Sequence, residues 1–199
     1  MKSDKTVHPQ LIGGLTKSLW NLISVNIGWL ACILGAAQGY HWLGMVVVPI
    51  LFLIHITAIQ RRKIRKIFIV AMASTAIGFL TDTTLIIVGT VEPNRWLMPA
   101  PFTTIWDLMI WANFSLTLDV SLRFLQKRPF VAAFLGAIFA PGTYYAGDRL
   151  GALKFSEPVL SSLLWVGAVW LFAMPCLSLM ARYFYQPQKN KICRIFKSI

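Results

Sequence analysis

The chain reads as an all-α polytopic membrane protein, a bundle of six transmembrane helices with both termini cytoplasmic (N-in/C-in). Three observations carry that expectation. Charged residues make up only 13% of the 199, against 57% apolar ones, whereas an ordinary globular domain carries about a quarter charged residues. The apolar residues gather into runs of span length. The basic residues sit between those runs and are dense on every second loop. A net charge of +12 distributed in this way marks topology and not a nucleic-acid surface, so no nucleic-acid partner is expected.

A hydrocarbon core about 30 Å thick needs about 20 apolar helical residues, and open strands or loops cannot satisfy their backbone groups in lipid. Residues 18–60 contain no Asp, Glu, Lys or Arg, a stretch long enough for two spans. Ala37-Gln38-Gly39-Tyr40 divides it into spans over 19–37 and 41–59. A third span is expected over 67–91 with Asp82 as its only charge, and a fourth over 104–122. The fifth, over 129–146, opens on Pro129, a residue suited to a first helical position, and the sixth covers 158–181. The organisation is then a cytoplasmic segment 1–18, a transmembrane domain 19–181 and a basic tail 182–199.

Orientation follows from the basic residues. One side collects Lys2, Lys5 and Lys17, the group from Arg61 to Lys66, then Arg123, Lys127 and Arg128, and the residues from Arg182 onward, sixteen in all. The other side has three, Arg95, Arg149 and Lys154. The positive-inside rule places the richer side, and both termini, in the cytosol. Gly35-Ala36-Ala37 resembles a small-residue cleavage site, but the preceding apolar run is too long for a signal core and flows into a second one. In the tail, Ile192, Ile195, Phe196 and Ile199 recur at helical spacing, with Lys189, Lys191, Arg194 and Lys197 on the remaining face. The tail is expected either to form a helix that lies on anionic lipid or to be a frayed solvated end. Cys32, Cys176 and Cys193 suggest no disulfide framework.

An ionisable group deep in a bilayer costs several kcal/mol without a partner or water, so it is a functional candidate. Asp82, flanked by Gly78, Thr81, Thr83 and Thr84, is the first candidate, with Asn26, Asn113 or His55 as its expected partner; if they converge, the bundle has one polar centre. His55, in the inner half of the second span, is the second catalytic candidate, although a lone histidine is more often a satisfied interhelical donor. No His-x-x-x-His, Glu-x-x-His or Cys-x-x-Cys spacing occurs, so neither metal nor cofactor is expected. Asp119 and Arg123 stand at i and i+4 as an interfacial ion pair. In the fifth span Ala133, Gly136, Ala137 and Ala140 permit close helix approach, while Pro141 and Gly142 are expected to interrupt the helix. Tyr144, Tyr145 and Asp148, with His41, Trp42, Trp96, Trp106 and Asp107, are expected either to line a cleft open to the outer leaflet or to form an interface belt.

Trp29-Leu30-Ala31-Cys32-Ile33-Leu34-Gly35-Ala36-Ala37, Trp42-Leu43-Gly44, His55, Gly78-x-x-x-Asp82 and Pro141-x-x-Tyr144-Tyr145-Ala146-Gly147-x-Arg149-Leu150-Gly151-Ala152 together resemble a bacterial inner-membrane family known as domain of unknown function 2878. The resemblance runs from about Trp29 to Ala152. It implies a Gram-negative inner (plasma) membrane and an association with the modification of fatty acids, and it carries over no catalytic residue. Three functions are therefore weighed: an enzyme or accessory of membrane lipid and fatty-acid metabolism, a small proton-linked transporter or permease, and an assembly partner of another membrane protein. A homodimer would supply the symmetry that a transporter of this size lacks.

Overall fold

The computed structural model of the chain describes residues 9–60, 63–94 and 98–186, and the side chains of all of these but 9–12. The expected tail helix over 189–199 lies outside the described residues, as do Lys2, Lys5, Arg61, Arg62, Arg95, Trp96 and Cys193. The architecture is all-helical, and five helices are long and apolar enough to cross a membrane. Helix α1 spans Pro9–Gln38. Helix α2, Trp42–Ile54, runs on as one π-helical turn over His55–Ile59. Helix α3 covers Ile64–Ile87, α5 Pro129–Leu150 and α6 Val159–Tyr185. Their outer surfaces carry large apolar side chains such as Met72, Phe130 and Phe172, the arrangement of a multi-pass protein whose solvent is lipid.

The fourth segment departs from expectation. Instead of one helix over 104–122, α4 is eleven residues long, Ile105–Ser115. Turns follow over 116–122, then a 3-10 helix at Arg123–Lys127. The cause is local. Ser115 and Thr117 donate their hydroxyls back to the carbonyls of Ala112 and Phe114, competition that disfavours a regular helix. Thr103 N–H meets Thr83 Oγ1 at 3.3 Å, and Lys63 meets Asp119 at 2.5 Å. The segment therefore runs antiparallel to α3 over most of that helix's height. Irregular backbone at this depth is tolerated only inside protein, and its carbonyls are served accordingly: Asn21 Nδ2 donates to Leu116 O at 3.1 Å, and Gln126 Nε2 to Leu118 O at 2.8 Å.

Helix α5 is also a correction, because Pro141 does not interrupt it. A proline removes the hydrogen bond to the carbonyl four residues back, here Ala137. That carbonyl faces Gly167 of α6, where even a Cβ would come within 3.0 Å. The glycine leaves room for the freed oxygen and the helix stays continuous. Gly136 fits as tightly, since a Cβ there would lie 2.6 Å from the Trp170 carbonyl. The expected small-residue face is thus the α5–α6 contact.

Two short strands add an element absent from the sequence reading. β1, Val91–Pro93, pairs antiparallel with β2, Leu153–Phe155, with Val91 opposite Phe155. Gly151, at φ 86°, ends α5 in the left-handed conformation that glycine accepts without penalty, turning the chain into β2. The pair joins the exit of α3 to the α5–α6 connection, and Val91 and Phe155 pack with Leu85, Ala140 and Val166 beneath it.

Candidate functional site

Asp82 is 2% exposed, and none of its expected partners reaches it. Its carboxylate instead accepts hydrogen bonds from the Trp111 indole N–H and the Tyr144 hydroxyl. Trp170 Nε1 donates to the Tyr144 oxygen at 3.4 Å, and the Trp170 ring stacks on Trp111 at 4.8 Å. Gly78, one turn before Asp82, makes this possible, because a Cβ there would come within 2.1 Å of the Trp111 ring. Asp107, on the first turn of α4, borders the same small void as Asp82 and Tyr144. The Thr103 hydroxyl donates to Asp107 Oδ2 at 2.6 Å. Two carboxyl groups and a phenol hydroxyl thus meet at one small void. The arrangement can therefore keep a proton in a dry place and pass it along Asp107, Asp82 and Tyr144.

Two polar atoms beside this cluster have no partner. Thr104 and Trp106 are 0% and 3% exposed, and Thr104 Oγ1 and Trp106 Nε1 make no hydrogen bond. Both residues border the small void that also touches Asp82, Asp107 and Tyr144. Trp106, Asp107 and Tyr144 border in addition an apolar cavity of about 340 Å³, within the range that holds small ligands (~300–1,000 Å³). It is enclosed by α1, α4, α5 and α6, with Trp29, Phe114, Trp111 and Trp170 among its walls. Along α5 it extends from Gly147 to Leu135, about 18 Å at 1.5 Å per residue. Phe139 and Thr143, on its α5 wall, are exposed on the outer surface, so the slot opens sideways toward lipid.

The other expected site residues lie elsewhere. Asn26 is exposed and donates to the Leu22 carbonyl of its own helix. Asn113 donates to Val25 O at 2.7 Å and packs against Gly28, which ties α4 to α1. His55 is buried with Nδ1 3.5 Å from Asn21 Nδ2, and Ser121 donates to Asn21 Oδ1 at 2.5 Å. This second network is separate from Asp82. Tyr145 is 44% exposed, and Asp148 accepts the Phe155 N–H at 3.1 Å, bracing β2. Among the described residues of the expected outer cleft, only Trp106, Asp107 and Tyr144 join the Asp82 cluster. Asp119 does pair with Arg123, at 3.7 Å, but its nearer partners are Lys63 at 2.5 Å and Gln60 at 3.2 Å. Among the described residues no three His, Cys, Asp or Glu side chains converge as a metal site would require.

Asp107, Trp111, Tyr144 and Trp170 are residues that the sequence reading did not connect to Asp82. One signal was available: Asp82 stands five residues before the end of α3 and Asp107 two residues after the start of α4, so antiparallel neighbours bring them to similar depth.

A family model described as Protein of unknown function (DUF2878) matches residues 18–176. The match spans all six helical segments and every residue of the Asp82 cluster. No curated protein and no solved structure matches the chain.

Proposed function

The chain belongs to the DUF2878 family, and from that premise we propose that it is a small component of membrane lipid or fatty-acid metabolism. In this reading it seats one lipid chain beside an intramembrane acid/base centre. The observation that carries the reading is a slot, open to the bilayer and lined by apolar side chains, that borders the Asp107 carboxyl and the Tyr144 hydroxyl, with Asp82 behind Tyr144. An aqueous substrate would have no use for a lateral opening into lipid, whereas an acyl chain can pass from the bilayer into such a slot without leaving an apolar medium. Asp82 and Asp107 hold the proton, Tyr144 carries it to the cavity wall, and the stacked Trp111 and Trp170 keep that path dry. His55 is left to position α1 against α2 through Asn21.

Deletion of the gene followed by mass spectrometry of total lipids tests the reading. The expected result is a changed acyl-lipid profile, restored by the wild-type gene and not by Asp82→Asn or Asp107→Asn. An unchanged profile counts against it. The carboxyl pair at a lipid-open cavity also favours a second reading, a proton-linked permease, for which Asp82→Asn would abolish proton-driven uptake into proteoliposomes.

The setting proposed for this activity is a bacterial inner membrane with six crossings, both termini cytoplasmic, and anionic lipid against the basic face. Support comes from the sixteen-to-three distribution of Lys and Arg and from the antiparallel course of α3 and the 104–122 segment. Lys63 and Arg123, both on Asp119, would mark the cytoplasmic level.

A further inference from the structure

Resting on the reading that the slot holds a lipid chain, we infer that its occupant is a single-chain amphiphile with an uncharged oxygen head, a hydroxyl or a carbonyl, seated between Trp106 and the Asp82–Asp107 pair. Two atoms at the polar end ask for such a head. Trp106 Nε1–H is a donor only, and Thr104 Oγ1 both donates and accepts. Each is buried and unpartnered; both residues border the small void, and Trp106 borders the slot as well. A buried donor left unmade costs about 1–3 kcal/mol, so an acceptor oxygen placed against Trp106 removes a standing penalty.

The carboxyl pair decides the charge of that head. A carboxylate or phosphate brought beside Asp107 and Asp82 would add a like charge in a site with little water, which disfavours it strongly. An ammonium head has donors and no acceptor, so it leaves Trp106 unsatisfied. It also finds the Asp82 oxygens already engaged by Trp111 and Tyr144. A hydroxyl or carbonyl meets both demands. The single slot, about 18 Å long by the rise of α5 and narrow at about 340 Å³, takes one extended chain and not the two tails of a phospholipid.

The test uses the full-length protein in detergent, with Trp29, Trp106, Trp111 and Trp170 in the slot wall as reporters. Bromine-tipped chains quench indole fluorescence on contact, so bromoundecanol, bromoundecanoate and bromoundecylamine are titrated at constant detergent. The expected result is saturable quenching by the alcohol, at a half-saturation at least about tenfold below that of the acid and the amine. Ala140→Phe, which fills the slot, should remove the saturable part. Trp106→Phe, which keeps a ring and loses only the donor, should weaken the alcohol several-fold while leaving the acid unchanged. That second variant keeps the test decisive where Ala140→Phe does not fold. Saturable quenching of equal or greater strength by the acid or the amine overturns the inference about the head while leaving a chain-binding slot. The absence of saturable quenching by all three overturns it together with the chain-binding reading. A changed lipid profile on deletion, combined with preference for the acid, retains the metabolic role and discards the uncharged head.

Discussion

Asp82 is held in place by the donors around it, and those donors in turn depend on it. Trp111 and Tyr144 both spend their polar atoms on its carboxylate, so Asp82→Leu leaves an N–H and an O–H without acceptors, at about 1–3 kcal/mol each. Asp82→Asn keeps a carbonyl oxygen and should cost less than the leucine. Thermal unfolding in detergent orders the two variants, and a leucine variant as stable as the asparagine would show that the carboxylate is not the acceptor that matters. Gly78→Ala places a methyl where the Trp111 ring lies. The ring must move off Trp170, with an expected loss of about 1–3 kcal/mol and a shift in tryptophan emission. Unchanged emission and stability would mean that the α3–α4 approach is looser than the glycine implies.

The segment after α4 shows how one irregular element survives at membrane depth. Its free carbonyls at Leu116 and Leu118 are served by Asn21 and Gln126 respectively, side chains from two different parts of the chain. Asn21→Ala and Gln126→Ala should each destabilise by about 1–3 kcal/mol. Their effects should add within about 0.5 kcal/mol, because the two carbonyls share no partner. Urea or SDS titration of the single and double variants checks this, and a strong coupling would argue that the turns melt as one unit. In α5 two glycines offer a controlled contrast. Gly142 has open space around it, whereas Gly136 lies against Trp170 and Met174. Gly142→Ala should be neutral or stabilising by up to about 1 kcal/mol, and Gly136→Ala should destabilise by forcing α5 and α6 apart. Equal effects on the thermal midpoint would contradict the tight α5–α6 contact.

The whole bundle has two different ends. At one, β1 and β2 join the exits of α3 and α5 beside the Asp82 cluster. At the other, Asp119 gathers Lys63, Gln60 and Arg123, with Lys63 also 5.4 Å from the Tyr185 ring centre. In the proposed topology of six crossings with a cytoplasmic N-terminus, the Asp119 end would face the cytosol and the strands the opposite side. With Cys32, Cys176 and Cys193 replaced by Ser, a cysteine at the exposed Lys154 should react with a membrane-impermeant maleimide in intact spheroplasts. One at the exposed Lys127 should react only after lysis. The reverse pattern would invert the topology and with it the depth assigned to every polar group.

Lipid as the solvent and the presence of five long apolar helices were legible along the chain, because the free energy of moving an apolar residue out of water accumulates locally and needs no partner. Asp82 could be singled out for the same reason, since an ionisable group is costly in hydrocarbon whatever surrounds it. Its companions could not be named. Helices apolar on all sides have no periodic stripe to say which face turns inward, so Asn26 and Asn113 looked as eligible as Trp111. The course of the 104–122 segment was hidden too, because hydroxyls that bend the backbone and the distant amides that serve the freed carbonyls are not neighbours in sequence. Which polar groups meet is set by how the helices rotate and slide against one another, and contacts such as Gly78 on Trp111 and Gly136 on Trp170 settle that rotation after the chain has packed.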